Sequence, residues 1–181
     1  MTLEYKIEAE DIVNYMLFNA SINPRLKKNR RRALIVVPFI YLVAGSALLF
    51  TPYSALGFIF WSIALVWFLV YRVWQRRYYV RYYKNLVLDI YKDGLDRTST
   101  VELNDAYLLV KDGENESKLS TQKFKEIHET MAYIFVKTIN EGRWILPKNK
   151  IADLDMVRQE LQALSTKLGI PYNVDLNWKW K

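Results

Sequence analysis

Residues 33–50 and 56–71 are two runs without a charged side chain, separated only by Thr51-Pro52-Tyr53-Ser54-Ala55. Val73 and Trp74 carry the apolar character of the second run past Arg72. At about 1.5 Å of rise per helical residue, eighteen residues reach about 27 Å, close to the roughly 30 Å of a bilayer's hydrocarbon core. So short a turn joins two helices only as an antiparallel pair. The pattern predicts a transmembrane hairpin over residues 33–74, with spans at about 33–50 and 56–74. A buried hairpin of a soluble protein is the bland alternative, and two adjacent charge-free runs with basic borders argue against it. A cleaved signal peptide does not fit, because the first run starts at residue 33 and another follows at once. Pro38 is expected to kink the first helix or to start a new segment within it.

Charge sharpens this reading. The 181-residue chain carries a net +7. Residues 22–32 hold six Lys/Arg and no acid, and residues 72–84 hold five and no acid. Those eleven charges exceed the net, so the remainder stands at −4. A nucleic-acid-binding domain spreads its basic charge over the folded part, whereas here it collars the two apolar runs; no nucleic-acid partner is expected. Lys and Arg concentrate in loops kept in the cytoplasm. Both outer flanks are basic and the connecting turn is neutral, which predicts a multi-pass protein of the bacterial inner membrane with both termini cytoplasmic. Arg30, Arg31 and Arg32 anchor the first span. Tyr53 suits one water–lipid boundary, and Trp74 with Tyr78 the other.

Ahead of the hairpin, residues 2–7 alternate polar and apolar as a short strand does. Glu8, Glu10 and Asp11 then precede an apolar-rich stretch at 12–18, the signature of a short helix. With the basic collar, these make an N-terminal region of residues 1–32. Beyond the second span, Trp74, Tyr78 and Tyr82 recur every four residues beside Arg77, Arg81 and Lys84. Such a stripe can grip single-stranded nucleic acid. At a membrane exit it reads better as the second span's helix continuing into the cytoplasm, a juxtamembrane helix over 75–92 with Arg76, Arg77 and Arg81 facing anionic head groups. Each basic residue near such a surface contributes about 1 kcal/mol.

From residue 93 the period changes. Turn signals at Lys92-Asp93-Gly94, Lys111-Asp112-Gly113 and Asn140-Glu141-Gly142 separate β-prone segments at 98–103, 107–110, 124–129, 133–139 and 143–146. Spacing of this kind predicts a small antiparallel sheet or barrel. Leu154, Val157, Leu161, Leu164 and Leu168 mark a closing helix over about 153–168, stopped by Gly169 and Pro171. Residues 172–181 alternate apolar and polar, so the tail either adds an edge strand, the preferred reading, or docks its Trp face on the bilayer. The whole is an α+β membrane protein, with a cytoplasmic domain at 93–181.

Residues 123–151, "KFKEIHETMAYIFVKTINEGRWILPKNKI", carry a family likeness. Ile127, Glu129, Thr130, Tyr133 and Ile134, followed by Ile145, Leu146, Pro147 and Lys148, resemble the C-terminal region of the YcxB-like family of bacterial membrane proteins. The order of strand, helix, basic collar, two spans and β-rich domain is similar too. The family usually has Trp where this chain has Phe124. The resemblance implies a PH-like cytoplasmic domain, and it implies no activity, because the family has none established. Glu129, Thr130, Tyr133, Pro147 and Lys148 are read as framework residues; Pro147, for example, cannot donate to a ladder and so ends a strand.

Catalytic constellations are not apparent. There is no cysteine and one histidine, His128, so zinc sites of the common kinds cannot be assembled. On a strand, Glu126 and His128 would share one face, read as solvated surface. The six glycines are scattered singly, without a phosphate-binding pattern. The spans hold no Lys, Arg, His, Asp or Glu before Arg72, which argues against a proton relay or ion pathway. Ser46, Ser54 and Ser62 are too mild for that role, while Gly45 beside Ala44 permits close helix contact. The expectation is a non-enzymatic, membrane-anchored interaction or regulatory module without a cofactor, binding anionic lipid head groups and an unidentified protein partner. The mildly acidic soluble part favours a protein partner over bulk anionic lipid. The alternative is an immunity protein against a membrane-acting toxin, blocking a pore within the bilayer.

Overall fold

The computed structural model describes residues 1–90, 98–112, 115–140 and 142–180. The turn expected at 92–94 lies outside them, as do Gly113 and Glu141 of the other two expected turns. The protein is α+β and divides into two units: Met1–Tyr15 with Leu86–Lys179, and Met16–Asn85 with Trp180.

The first unit is built on two four-stranded sheets. Strand β1 (Thr2–Lys6) pairs antiparallel with β2 (Thr98–Leu103), Leu3 opposite Val101 and Tyr5 opposite Ser99. Strands β3 (Tyr107–Asp112) and β4 (Asn115–Ser120) complete this sheet in the order β1-β2-β3-β4. The segment forming β4, "NESKLS", is polar and was not expected as a strand; pairing along β3 overrides its weak propensity. The second sheet, in the order β7-β6-β5-β8, contains β5 (Phe124–Thr130), β6 (Tyr133–Thr138), β7 (Arg143–Pro147) and β8 (Tyr172–Asp175). The tail does form an edge strand, over four residues rather than ten. It runs parallel to β5, with His128 opposite Asn173, so this sheet is mixed rather than purely antiparallel.

Side-chain alternation explains the burial. Ile134 and Val136 of β6 join Val101, Leu103, Leu108, Ile127, Trp144 and Leu146 in one core. Phe135 of the same strand meets the Tyr15 ring edge-on at 5.4 Å and stacks on Tyr133. Helix α1 (Ala9–Ile22) is thus fixed to the second sheet through its first half. Its start is capped as the acids lead one to expect: Asp11 accepts a 2.9 Å hydrogen bond from the Glu8 amide.

The last helix, α4 (Leu154–Leu168), closes the core with Val157, Leu161 and Leu164. Asp153 caps it by accepting from the Met156 amide. Gly169 ends it at φ 65°, the left-handed conformation that disfavours any residue with a Cβ.

The second unit is a helical hairpin of α2 (Pro24–Leu49) and α3 (Ser54–Ile90), the latter passing into the first unit at Leu86. Both helices are long and apolar enough to cross a membrane. The basic collar forms no separate segment: α2 begins at Pro24 and carries all six of its cations in the first turns. Asn23 caps it, accepting from the amides of Arg25 and Leu26. Pro38 sits inside α2 without ending it, and α3 runs unbroken through residues 75–90, the helix continuation expected past the second apolar run. Along the pair, Ala33 O accepts from Trp67 Nε1 and Leu42 O from Trp61 Nε1, an antiparallel register. Gly45 and Gly57 mark the closest approach: a Cβ on Gly45 would lie 2.9 Å from Gly57 O, and one on Gly57 would lie 2.7 Å from Gly45 O.

Candidate membrane-interface site

The residues singled out by sequence fall into two clusters, one in each unit.

In the hairpin, Arg31 and Arg32 on α2 and Trp74, Arg76, Arg77, Tyr78 and Arg81 on α3 are exposed. Arg30 differs. Its guanidinium lies 4.4 Å from the centre of the Trp180 ring and 5.6 Å from that of Tyr79, and the residue is half-buried. Trp180 is buried, meets Tyr79 at 5.7 Å and donates from Nε1 to Arg76 O at 3.3 Å. Arg30 is thus held by aromatic faces instead of reaching outward with its neighbours, an arrangement suited to a planar, weakly hydrated cation.

Below it, Trp67, Tyr71, Trp74, Tyr78 and Tyr82 form a continuous ladder along α3, with ring centres 5.0, 6.0, 5.2 and 6.2 Å apart in turn. Steps of three and four residues place these rings on one helix face. A small hollow of about 160 Å³ opens among Asn29, Arg30, Trp74, Gln75 and Tyr78. Gln75 is buried in an otherwise exposed stretch of helix. Sequence reasoning found Trp74, Tyr78 and Tyr82 from their spacing of four. It missed Tyr71 and Trp67, which lie inside the apolar run and read as lipid-facing bulk. Trp180 was visible only as one apolar position in the alternating tail.

The family-motif residues converge in the β unit. Glu129 is buried on β5, and its Oε1 accepts from Lys148 Nζ at 2.5 Å and Arg158 Nε at 2.9 Å, while Oε2 accepts from the Tyr172 hydroxyl at 2.7 Å. Lys148 also donates to Thr130 O at 2.6 Å. One carboxylate therefore ties together β5, the turn after β7, α4 and β8. Burial pushes its pKa upward, but the three donors outweigh that and hold Glu129 below the usual glutamate range. The same environment raises the Tyr172 phenol. Thr130 closes the β5–β6 turn by exchanging two hydrogen bonds with the Tyr133 backbone. Pro147 stands opposite Tyr133 and ends β7.

Tyr133 links this clamp to α1. Its hydroxyl donates to Asp11 Oδ1 at 3.0 Å and accepts from Asn14 Nδ2, while Lys150 Nζ reaches Asp11 Oδ2 at 3.0 Å and Glu8 at 3.2 Å. Burial, with the Asp11 carboxylate adding to it, pushes the Tyr133 phenol up to about 12. His128 and Glu126 do share a face, 3.0 Å apart, with Lys137 also on Glu126. The His128 side chain is 14% exposed, more covered than the solvated surface expected of it. Among the described residues, no group of three or more His, Cys, Asp or Glu is placed to hold a metal ion.

No protein-family model matches the chain, and no curated protein or solved structure matches it.

Proposed function

We propose that the chain is a two-span protein of the bacterial inner membrane that presents a PH-like domain at the cytoplasmic face and works by binding rather than catalysis. The observation that carries this reading is topological. Strand β1, before the hairpin, and β2, after it, are neighbours in one sheet. An odd number of crossings would place them on opposite sides of a bilayer; two crossings return the chain to its own sheet.

Solvent exposure supports the membrane. Of the most apolar eighteen-residue window in each helix, 11% is buried. Ile35, Phe39, Ile40, Leu65, Phe68 and Leu69 are among the large side chains left open. A soluble monomer does not leave so large an apolar surface in water. Orientation follows from the collars and the positive-inside rule.

Charge at the start of α2 points to anionic lipid as one partner. Six cations and no acid occupy residues 24–32 of α2, and two of them, Arg25 and Lys27, lie in the first turn, where the helix dipole disfavours positive charge. Anionic head groups offset that repulsion, and the hollow beside Arg30 and Gln75 is sized for a phosphate-bearing group. A protein partner for the β unit, and the kinship suggested by the YcxB-like motif, belong to the same proposal.

Two measurements test it. The chain lacks cysteine, so single Cys residues can be placed at Ser54 and Glu116 and exposed to an impermeant thiol reagent in intact cells. Ser54→Cys should react from outside and Glu116→Cys only after lysis; the reverse would refute the orientation. Native mass spectrometry should show anionic phospholipid retained by the wild type and mostly lost from an Arg76→Gln, Arg77→Gln, Arg81→Gln triple variant. Equal retention would remove the lipid role from α3.

A further inference from the structure

A cavity of about 420 Å³ opens inside the β unit, between the inner face of the β1-β2-β3-β4 sheet and the β7 edge of the other sheet. Its walls are Ile7, Ile12, Val101, Leu108, Val110, Leu119 and neighbouring apolar side chains. The volume falls within the range of sites that hold small ligands.

Three features define what it can accept. First, its deep polar atoms already have partners: Trp144 Nε1 donates to the Tyr5 hydroxyl at 2.6 Å, and that hydroxyl donates to Ile145 O at 3.0 Å. A polar ligand would find little to bind there. Second, the strand register puts two serines toward the same end of the sheet, at the Val110–Asp112 end of β3. Ser99 opposite Tyr5 and Ser117 opposite Val110 line the cavity where a closed core would carry bulky apolar residues. Thr138 and Asn140 come to the same cavity from the β6–β7 side. Third, Arg143 is the one charged residue lining it among the described residues. Unfilled apolar volume inside a fold is destabilising, and water gains little against such walls.

We propose that this cavity binds a single-chain anionic amphiphile, its acyl chain between the sheets and its carboxylate or phosphate head at the Ser99–Ser117–Arg143 end. The site is separate from the hollow at Arg30 and does not depend on the membrane orientation argued above.

The full chain, reconstituted in nanodiscs, is exposed to a diazirine-bearing fatty acid, irradiated and mapped by peptide mass spectrometry. A lysophosphatidic acid and a monoacylglycerol bearing the same photoreactive chain serve as parallel probes. The expected result is saturable labelling of the β2–β4 strands by either anionic probe, distinct from non-saturable labelling of α2 and α3. The anionic probe that saturates at lower concentration identifies the source, free fatty acid or monoacyl phospholipid. Val110→Trp, which fills the cavity, should reduce this labelling about tenfold, and so should Ser117→Trp, an exposed position that leaves the core intact. Arg143→Gln should weaken the anionic probes several-fold and leave the monoacylglycerol unchanged. Labelling confined to the helices would overturn the proposal. So would strand labelling that persists in a folded Ser117→Trp protein, or saturable labelling by the uncharged probe equal to that by the anionic ones.

Discussion

Lys148 and Glu129 form an ion pair at 2.5 Å with side chains only 8% and 5% exposed. Breaking one side of such a pair leaves the other charge buried without its partner, at a cost of about 3–5 kcal/mol. Glu129→Gln keeps the shape and an acceptor for Tyr172 but strands the Lys148 ammonium. It should lower the thermal midpoint of the β unit markedly, since about 1 kcal/mol moves a domain of 60–100 residues by roughly 4–8 °C. Replacing both partners by apolar residues, Glu129→Leu with Lys148→Met, should cost less than the sum of the two single changes. Circular dichroism melts of the four proteins check this; strict additivity would show that the pair is not coupled.

Acid should unfold the β unit through the same carboxylate. Glu129 is held below the usual glutamate range of about 4.3, and Glu126 is lowered too, through its contacts with His128 and Lys137 against the opposing effect of burial. A depressed folded pKa gives stability that is fully present above the unfolded value and lost as pH falls through the folded one. Urea midpoints should therefore hold from pH 7 to about 5 and drop between about 4 and 3. In Glu129→Gln the midpoint should start lower and fall less over that interval. An acid limb identical to the wild type's would exclude Glu129 as its source.

Much of this fold was legible because burial writes period into sequence. The alternation in residues 2–7, the apolar runs and the three-four steps of Leu154, Val157, Leu161 and Leu164 each correspond to an element with that face buried or apolar. Strand β4 was not legible, since "NESKLS" is held by its pairing with β3 and only Leu119 packs against the core. Nor was the parallel direction of β8: alternation specifies a face, not a partner. The candidate sites show the same division. Arg77 and Arg81 of the basic stripe are exposed on α3, but Arg30 is turned toward Trp180, a contact between residues 150 positions apart in the chain.

The hairpin should depend on its two glycines. A Cβ at Gly45 would meet Trp61 Cδ1 at 2.6 Å, and one at Gly57 would meet Leu49 Cδ2 at 2.9 Å as well as backbone oxygen. In the membrane topology proposed above, apolar burial offers no drive to join helices, and close packing of backbones does so instead. Gly57→Leu should therefore separate α2 from α3, whereas Ile59→Leu, at an exposed position nearby, should not. In a background whose other five tryptophans are Phe, the fluorescence of Trp61, whose Nε1 donates to Leu42 O at 3.3 Å, reports the contact. Its emission should shift in Gly57→Leu alone, and no shift would mean that the helices approach elsewhere.

Trp180 should be protected by Arg30. The cation lies 4.4 Å from the ring centre, and such contacts contribute about 0.5–2 kcal/mol, depending on how dry they are. Lys179 is exposed while Trp180 is buried, so trypsin meets a cleavable side chain whose following residue is held down. Cleavage requires that residue to be released, at a rate set by the population of the released form when release is fast and reversible. Arg30→Gln removes the cation and leaves most of the side chain's bulk. Loss of about 1.4 kcal/mol would raise the released population about tenfold, and cleavage after Lys179 should accelerate by a few-fold to tenfold accordingly. Arg31→Gln, a change at an exposed cation one position away, should leave it at the wild-type rate. Intact-mass time courses of the three proteins read this directly. Equal rates for wild type and Arg30→Gln would show that the indole is held by Tyr79 and the Arg76 carbonyl without help from the charge.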